Sequence, residues 1–170
     1  MKSIKNLINV ILLGTLISAA LPGRAMNKQD NPSSDEIIQK NILFYVNQYR
    51  LAHGLNALKL NSSISNEATR HSQDMANHRI PFGHKYFPDR IKRLYKQIEQ
   101  CRSGAENVAY NYKDTKELVR QWIGSPGHRR NIEGHYNLTG IGIARDKNGK
   151  LYYTQMFILN DTPARNHSYR

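Results

Sequence analysis

A single cysteine, Cys101, is all that 170 residues contain. A lone thiol excludes an internal disulfide framework, so stability has to come from packing. Acidic residues are scarce as well, 13 against 25 lysines and arginines, for a formal net charge of +12. That imbalance favours anionic partners such as phosphates, polyanionic envelope polymers or acidic lipid headgroups. The third scarcity is of long hydrophobic runs. One lies at residues 7–20 and no second follows, which excludes a multi-span membrane protein and argues against an integral one. No internal repeat interrupts the rest.

The one apolar run has the flanks of a secretory signal. Lys2 and Lys5 precede it, and Gly23-Arg24-Ala25 places small residues at the −3 and −1 positions of a cut before Met26. We therefore expect a cleaved leader over residues 1–25 and a protein exported to a periplasm or the exterior, where nucleic acid is not an expected partner. The 145 residues that remain, with a net charge of +9, are enough for one domain with one core. Residues 26–34 read as a polar linker, 35–159 as the domain and 160–170 as a polar tail.

Within the domain the hydrophobic spacing predicts helices first and a hairpin last. Ser33 and Glu36 form a capping box, and Ile38, Ile42, Tyr45 and Tyr49 recur at helical spacing until Gly54. A second helix carries Ile64, Ala68, His71 and Met75 on one stripe, capped by Ser62 or Ser63. Residues 79–88 read as a loop. A short third helix presents Ile91, Leu94, Tyr95 and Ile98 on one face and Arg90, Lys92, Arg93 and Lys96 on the other. Residues 107–110 suit a strand or a tight connection. Asp114 and Glu117 form another capping box, ahead of a helix that buries Leu118, Val119, Trp122 and Ile123 and ends at the turn of residues 124–127. Residues 138–144 and 151–159 flank an Asn-Gly turn, the clearest hairpin in the chain. This order points to an α+β domain with helices packed on an antiparallel sheet.

Seven histidines offer many false sites. His71, on an apolar stripe, reads as a half-buried side chain with its hydrogen bonds met. His53, His78 and His167 read as exposed. His84, Glu106 and His128 differ, because each lies beside small residues at the edge of an element: Phe82-Gly-His84, Gly104-Ala-Glu106 and Ser125-Pro-Gly-His128. Such turns hold a polar side chain at a fixed angle with room beside it. Two imidazoles and a carboxylate can hold a divalent ion, zinc being the usual one for these ligands. Both intervals are 22 residues, far from the spacing of a helical metal motif, so only the fold could gather the three. Without that gathering, Glu106 bonds backbone amides and His128 caps a turn. Cys101 reads as an inert buried thiol.

The strings HSQDMANHRIPFGH, GAENVAYN, VRQWIGSPGHRRNI, TGIGIA and YYTQMF stand in the order, and near the separations, found in the CAP superfamily, also called the SCP domain. The chain resembles the disulfide-free bacterial branch of that superfamily over residues 35–159. The resemblance implies an α-β-α sandwich, with a central antiparallel sheet between helical layers and a surface cleft across which two histidines and acidic residues face each other. It places His84, Glu106 and His128 in that cleft as a zinc set, with Asn107, Ser125 and Asn131 beside them. Asn131 and Asn107 are expected to tie their turns together by side-chain to backbone bonds. Of Arg129 and Arg130, at most one can line the cleft. Two positions depart from the pattern. Ser125 stands where many members carry a second acid, which removes a carboxylate, and Ala105 stands where glycine is common. The expected function is a binding module that engages an envelope polymer, a lipid or a protein partner. A zinc-assisted hydrolase with Glu106 as ligand or general base is the second reading, and lipid or sterol carriage the third.

Overall fold

The first helix, α1 (Ser34–Ala52), starts at the expected capping box: Glu36 N–H donates to Ser33 Oγ at 3.2 Å and Ser33 N–H to Glu36 Oε2 at 2.9 Å. The computed structural model describes residues 33–161. The expected leader, nearly all of the linker and the tail beyond Asp161 lie outside the described residues. The order continues as β1 (Lys59–Leu60), α2 (Ser62–Ala76), α3 (Phe87–Gln97), β2 (Cys101–Tyr110), α4 (Thr115–Gly124), α5 (Pro126–Glu133), β3 (Leu138–Arg145) and β4 (Leu151–Asn160).

The sheet order is β1-β3-β4-β2. β3 and β4 form the expected hairpin, and β2 runs antiparallel along the other side of β4. The two residues of β1 pair in parallel with β3, so the sheet is antiparallel through its three long strands and mixed at one edge. Alternation along each strand sends side chains to opposite faces. On one face Ile141, Ile143, Tyr153 and Phe157 pack with Ile42 and Val46 of α1 and with Leu118 and Trp122 of α4. On the other, Met156 and Ile158 meet Ile64 and Ala68 of α2 and Leu94 of α3. Helices therefore cover both faces, and the α-β-α sandwich implied by the motifs is the observed architecture.

Several boundaries differ from those read in the sequence. Asn61, not a serine, caps α2, its Oδ1 accepting from Ile64 N–H at 3.1 Å. At α4 only half of the capping box forms. Asp114 accepts from Glu117 N–H, while the Glu117 carboxylate turns to Arg120 and Gln121. The turn at residues 124–127 opens a separate helix, α5, with Pro126 in its first turn. The strand around Glu106 is ten residues long and begins at Cys101.

Buried Arg50 binds the loop ends together. Its guanidinium donates to the carbonyls of Asn56, Ile132, Gly134 and Tyr136, at 2.5 to 3.1 Å, and so anchors the end of α5 to α1. The contact between α2 and β3 is of another kind, made by absence. A Cβ added at Gly142 would lie 2.1 Å from the carbonyl carbon of Ala68, and one at Gly140 would lie 2.2 Å from the amide nitrogen of Ser65. Both obstacles are helix backbone, so nothing can swing aside. Gly142→Ala is expected to lower stability by about 1–3 kcal/mol in urea unfolding. Gly124→Ala, at a helix position with nothing within 4 Å, is expected to be neutral or stabilising.

Candidate functional site

β2 is an edge strand, and its alternation decides how the predicted residues are shared out. Glu106 faces the α2 and α3 layer and its neighbour Asn107 faces the α5 layer. On the first side, Arg90 of α3 grips Glu106 with a bidentate fork, Nε to Oε2 and Nη2 to Oε1, both at 2.8 Å. Both side chains are buried. His84 Nδ1 lies 2.9 Å from Oε1, and since a carboxylate only accepts, Nδ1 carries the proton. In the neutral ring this leaves a lone pair on His84 Nε2. The His84 side chain is half exposed.

The loop that carries His84 is held from beneath. The Gly83 carbonyl is 2.8 Å from His71 Nε2, the Lys85 carbonyl accepts from Arg90 Nη1 at 2.7 Å, and the His84 carbonyl accepts from Phe87 N–H at 3.0 Å. Gly83 has φ +137°, a conformation that glycine permits and other residues rarely adopt. Three consecutive carbonyls are thus fixed, and the imidazole between them is aimed by the network that also fixes Glu106.

His71 and Arg90 are the residues that sequence reading missed. Arg90 is not on a solvated basic face: it is 3% exposed and buried against Glu106. His71 is not half-buried and fully satisfied either. It is 2% exposed, its Nε2 lies 3.7 Å from Glu106 Oε1, and its Nδ1 has no hydrogen-bond partner. The signal was present in both cases. His71 shares a stripe with Ile64, Ala68 and Met75, and Arg90 sits one turn before Leu94. A polar residue at a core position requires a partner, because desolvation without one is costly.

On the other side of β2, Asn131 does not stay within its own turn. Its Nδ2 reaches the Glu106 carbonyl at 3.0 Å and Asn107 Oδ1 at 2.8 Å. Asn107 Nδ2 in turn donates to the His128 carbonyl at 3.1 Å, and Trp122 Nε1 donates to the Val108 carbonyl at 3.3 Å. These bonds bolt α4 and α5 to the strand and place His128 in the first turn of α5. Its ring is half-buried, 6.5 Å from the centre of the Trp122 ring, and neither ring nitrogen has a partner among the described residues. Arg129 is half-buried against the Ile123 carbonyl and Arg130 is exposed, so at most one of the pair approaches the cleft. Beside His128 a cavity of about 520 Å³ opens, walled by Phe82, Tyr110, Tyr112, Trp122 and Ser125.

The electrostatics follow from burial and pairing. Burial would raise the Glu106 carboxyl, but the hydrogen bonds from His84 and Arg90 and the charge of Arg90 outweigh it and hold its pKa below the ordinary value. Burial lowers His71. It lowers His128 too, and the charge of nearby His84 adds to the effect. Cys101 is half-buried at the start of β2, and burial raises its thiol, as an inert cysteine requires. Among the described residues no group of three or more His, Cys, Asp or Glu side chains is arranged to hold a metal. Both oxygens of Glu106 are already engaged, by Arg90 and His84.

The three-layer sandwich, with helices on both faces of the sheet, is the fold of a CAP-type domain. The chain belongs to that family: the pattern described as "CAP: Cysteine-rich secretory protein family" matches residues 43–157. Two Bacillus subtilis proteins are similar in sequence. The uncharacterized membrane protein YlbC is 35% identical over 126 residues, 71% of this chain and 34% of that protein. The uncharacterized protein YkwD is 32% identical over 134 residues, 75% of this chain and 49% of that protein. The chain thus spans between a third and a half of these relatives. Among solved structures, an outer surface protein of Borrelia burgdorferi shares the fold with a TM-score of 0.65 at 16% identity, over 77% of this chain and 97% of that one. A Bacillus anthracis extracellular protein containing an SCP domain gives 0.61 at 24% identity, over 76% of this chain and 45% of that one. No helix among the described residues is long and apolar enough to cross a membrane.

Glu106→Gln is expected to lower stability by about 3–5 kcal/mol at neutral pH, because Arg90 would be left buried without its counter-charge. The pH dependence has a defined sign. Glu106 is depressed, so its contribution is fully present above its ordinary pKa of 4.5 and is lost as pH falls from there through the folded value. His71 and His128 are also depressed, so below 6.5 the unfolded chain takes up their protons first and stability falls. Urea unfolding between pH 8 and pH 3 should show decline in both windows, and Glu106→Gln should shrink the lower one, in which the depressed carboxyls of Glu117 and Asp146 also titrate, without abolishing the upper one.

Proposed function

We propose that this protein is an exported CAP-domain binding module that takes its ligand in the cleft at the β2 edge, between His84 and His128. The observation that supports binding over hydrolysis is the state of Glu106. A general base for hydrolysis works best with a pKa near neutrality and a free oxygen directed at water. Glu106 has neither, since its carboxyl is held low and both oxygens serve Arg90 and His84. What remains is an open, aromatic-walled cleft of a size that suits a ligand. Export rests on the leader read at residues 1–25. The positive charge favours an anionic envelope polymer, a lipid headgroup or an acidic protein surface as the partner.

Zinc, in this reading, is held by two imidazoles, His84 through Nε2 and His128. Glu106 is the carboxylate that orients His84 from behind and not a third ligand. Bound there, the ion would supply a positive charge to which an oxygen of the ligand attaches.

Calorimetric titration of the folded protein with zinc is expected to show saturable binding that disappears in the His84→Ala/His128→Ala double variant with its fold intact. Folded wild-type protein that takes up no zinc would make both imidazoles structural and remove the metal from the reading. Zinc-loaded protein is expected to leave peptide and ester substrates intact, and a turnover abolished by the same double variant would replace binding with hydrolysis.

A further inference from the structure

The cavity beside His128 continues beyond its own wall. A smaller one, of about 260 Å³, adjoins it, and Asn111 and Tyr112 line both. Together they form a groove that leads from Trp122 and His128, past the end of β2, to Lys113, Lys150 and the turn of the β3-β4 hairpin. The junction is fixed by main chain. Asn111 has φ +66°, a left-handed conformation that asparagine tolerates, and its N–H donates to the Leu151 carbonyl at 2.8 Å. The Tyr112 carbonyl accepts from the Tyr153 hydroxyl at 2.6 Å.

Two aromatic rings stand in the larger cavity, exposed and yet held. Phe82 and Tyr110 are 47% and 45% exposed. They meet edge to face with centres 4.8 Å apart, Tyr152 stacks on Tyr110 at 5.9 Å, and Lys150 Nζ lies over the Tyr110 ring at 5.4 Å. Adjacent apolar rings left in water mark a contact surface, and rings already immobilised lose little freedom when a ligand packs on them. Polar groups without partners surround them. Among the described residues the ring nitrogens of His128, the Ser125 hydroxyl and the Asn111 side-chain amide form no hydrogen bond. The Gln121 side chain donates to Glu117 and keeps its own oxygen free.

The far end of the groove is cationic. Lys113 and Lys150 line the smaller cavity, no carboxylate lines either cavity, and neither lysine has an ion-pair partner among the described residues. Asp146, whose carboxylate feels the charge of Lys150, directs Oδ1 to the N–H groups of Asn148 and Lys150 instead. The groove therefore offers rings and uncommitted polar groups at one end and two unpaired cations at the other.

A sugar has the same two-sided chemistry, with C–H groups on the faces of its ring and hydroxyls around its rim. The faces pack on aromatic side chains, while the hydroxyls exchange hydrogen bonds with amide, hydroxyl and imidazole groups. A lipid chain in the same place would cover those polar groups without satisfying them. The lysines call for a negative charge further along the same ligand. We propose, resting on the reading of the cleft as a binding site, that the groove binds an acidic polysaccharide, with one sugar ring on Phe82 and Tyr110 and the carboxylate of a neighbouring uronate sugar on Lys113 and Lys150. The ligand class is thereby narrowed from anionic partners in general to a polymer of acidic sugars.

The test is calorimetric titration of the protein with two acidic oligosaccharides, hyaluronan hexasaccharide and hexagalacturonate, with neutral chitohexaose, and with phosphatidylglycerol vesicles. At least one acidic hexasaccharide is expected to bind saturably, and chitohexaose about tenfold more weakly or not at all. Lys113→Gln/Lys150→Gln should match the parent in its circular dichroism and its zinc titration but lose about tenfold in affinity for the acidic hexasaccharide, since charge-assisted hydrogen bonds are removed. Phe82→Ala, which truncates an exposed ring, should weaken it by about two- to tenfold. No binding of either acidic hexasaccharide, chitohexaose as tight as they are, or an affinity indifferent to the lysine substitutions would each overturn the proposal. Binding to the vesicles without binding to the oligosaccharides would overturn it too, while leaving the cleft a binding site for a lipid headgroup.

Discussion

The fork between Arg90 and Glu106 is the interaction on which the functional half of the molecule depends. Neither charge could be buried alone, and both are buried here because two parallel hydrogen bonds and a short list of secondary partners meet nearly every demand. The pair ties α3 to the edge strand. The third nitrogen of Arg90 then takes the Lys85 carbonyl and fixes the loop in which His84 stands. The aim of an exposed imidazole is thus a by-product of satisfying a buried charge.

The same fork gives the cleft its electrostatic character. Ser125 leaves the cleft without a second carboxylate, and Glu106 is neutralised by Arg90. No acidic residue contributes to the walls of the cavity beside His128. That cavity presents no carboxylate to repel an anionic group, and His128 is the imidazole in its wall. The scarcity of acids in the composition is felt at the site itself.

Much of the architecture was legible because local chemistry and tertiary packing agree. The Ser33 capping box, the Asn-Gly hairpin and the apolar face of α4 each carry their own signal. The start of β2 was hidden because Ser103-Gly104-Ala105-Glu106 has weak strand propensity and becomes a strand by pairing with residues 156–159 of β4. The residues of the candidate site could be proposed from the sequence, but their arrangement could not. His84, Glu106 and His128 were marked by the small residues around them. That adjacent strand positions point Glu106 and Asn107 to opposite layers follows only once the segment is known to be a strand. His71 and Arg90 were passed over because a polar residue on a buried stripe was assigned to solvent or to quiet burial, when its position called for a partner.

Gly140 and Gly142 let the backbone of α2 rest directly on that of β3. A joint made of main chain is indifferent to the identity of the side chains around it. The outer face of α2 can therefore be rewritten, residue by residue, over evolutionary time without moving the helix. In this chain, two missing side chains separate the seat of the helix from the chemistry of its exposed face.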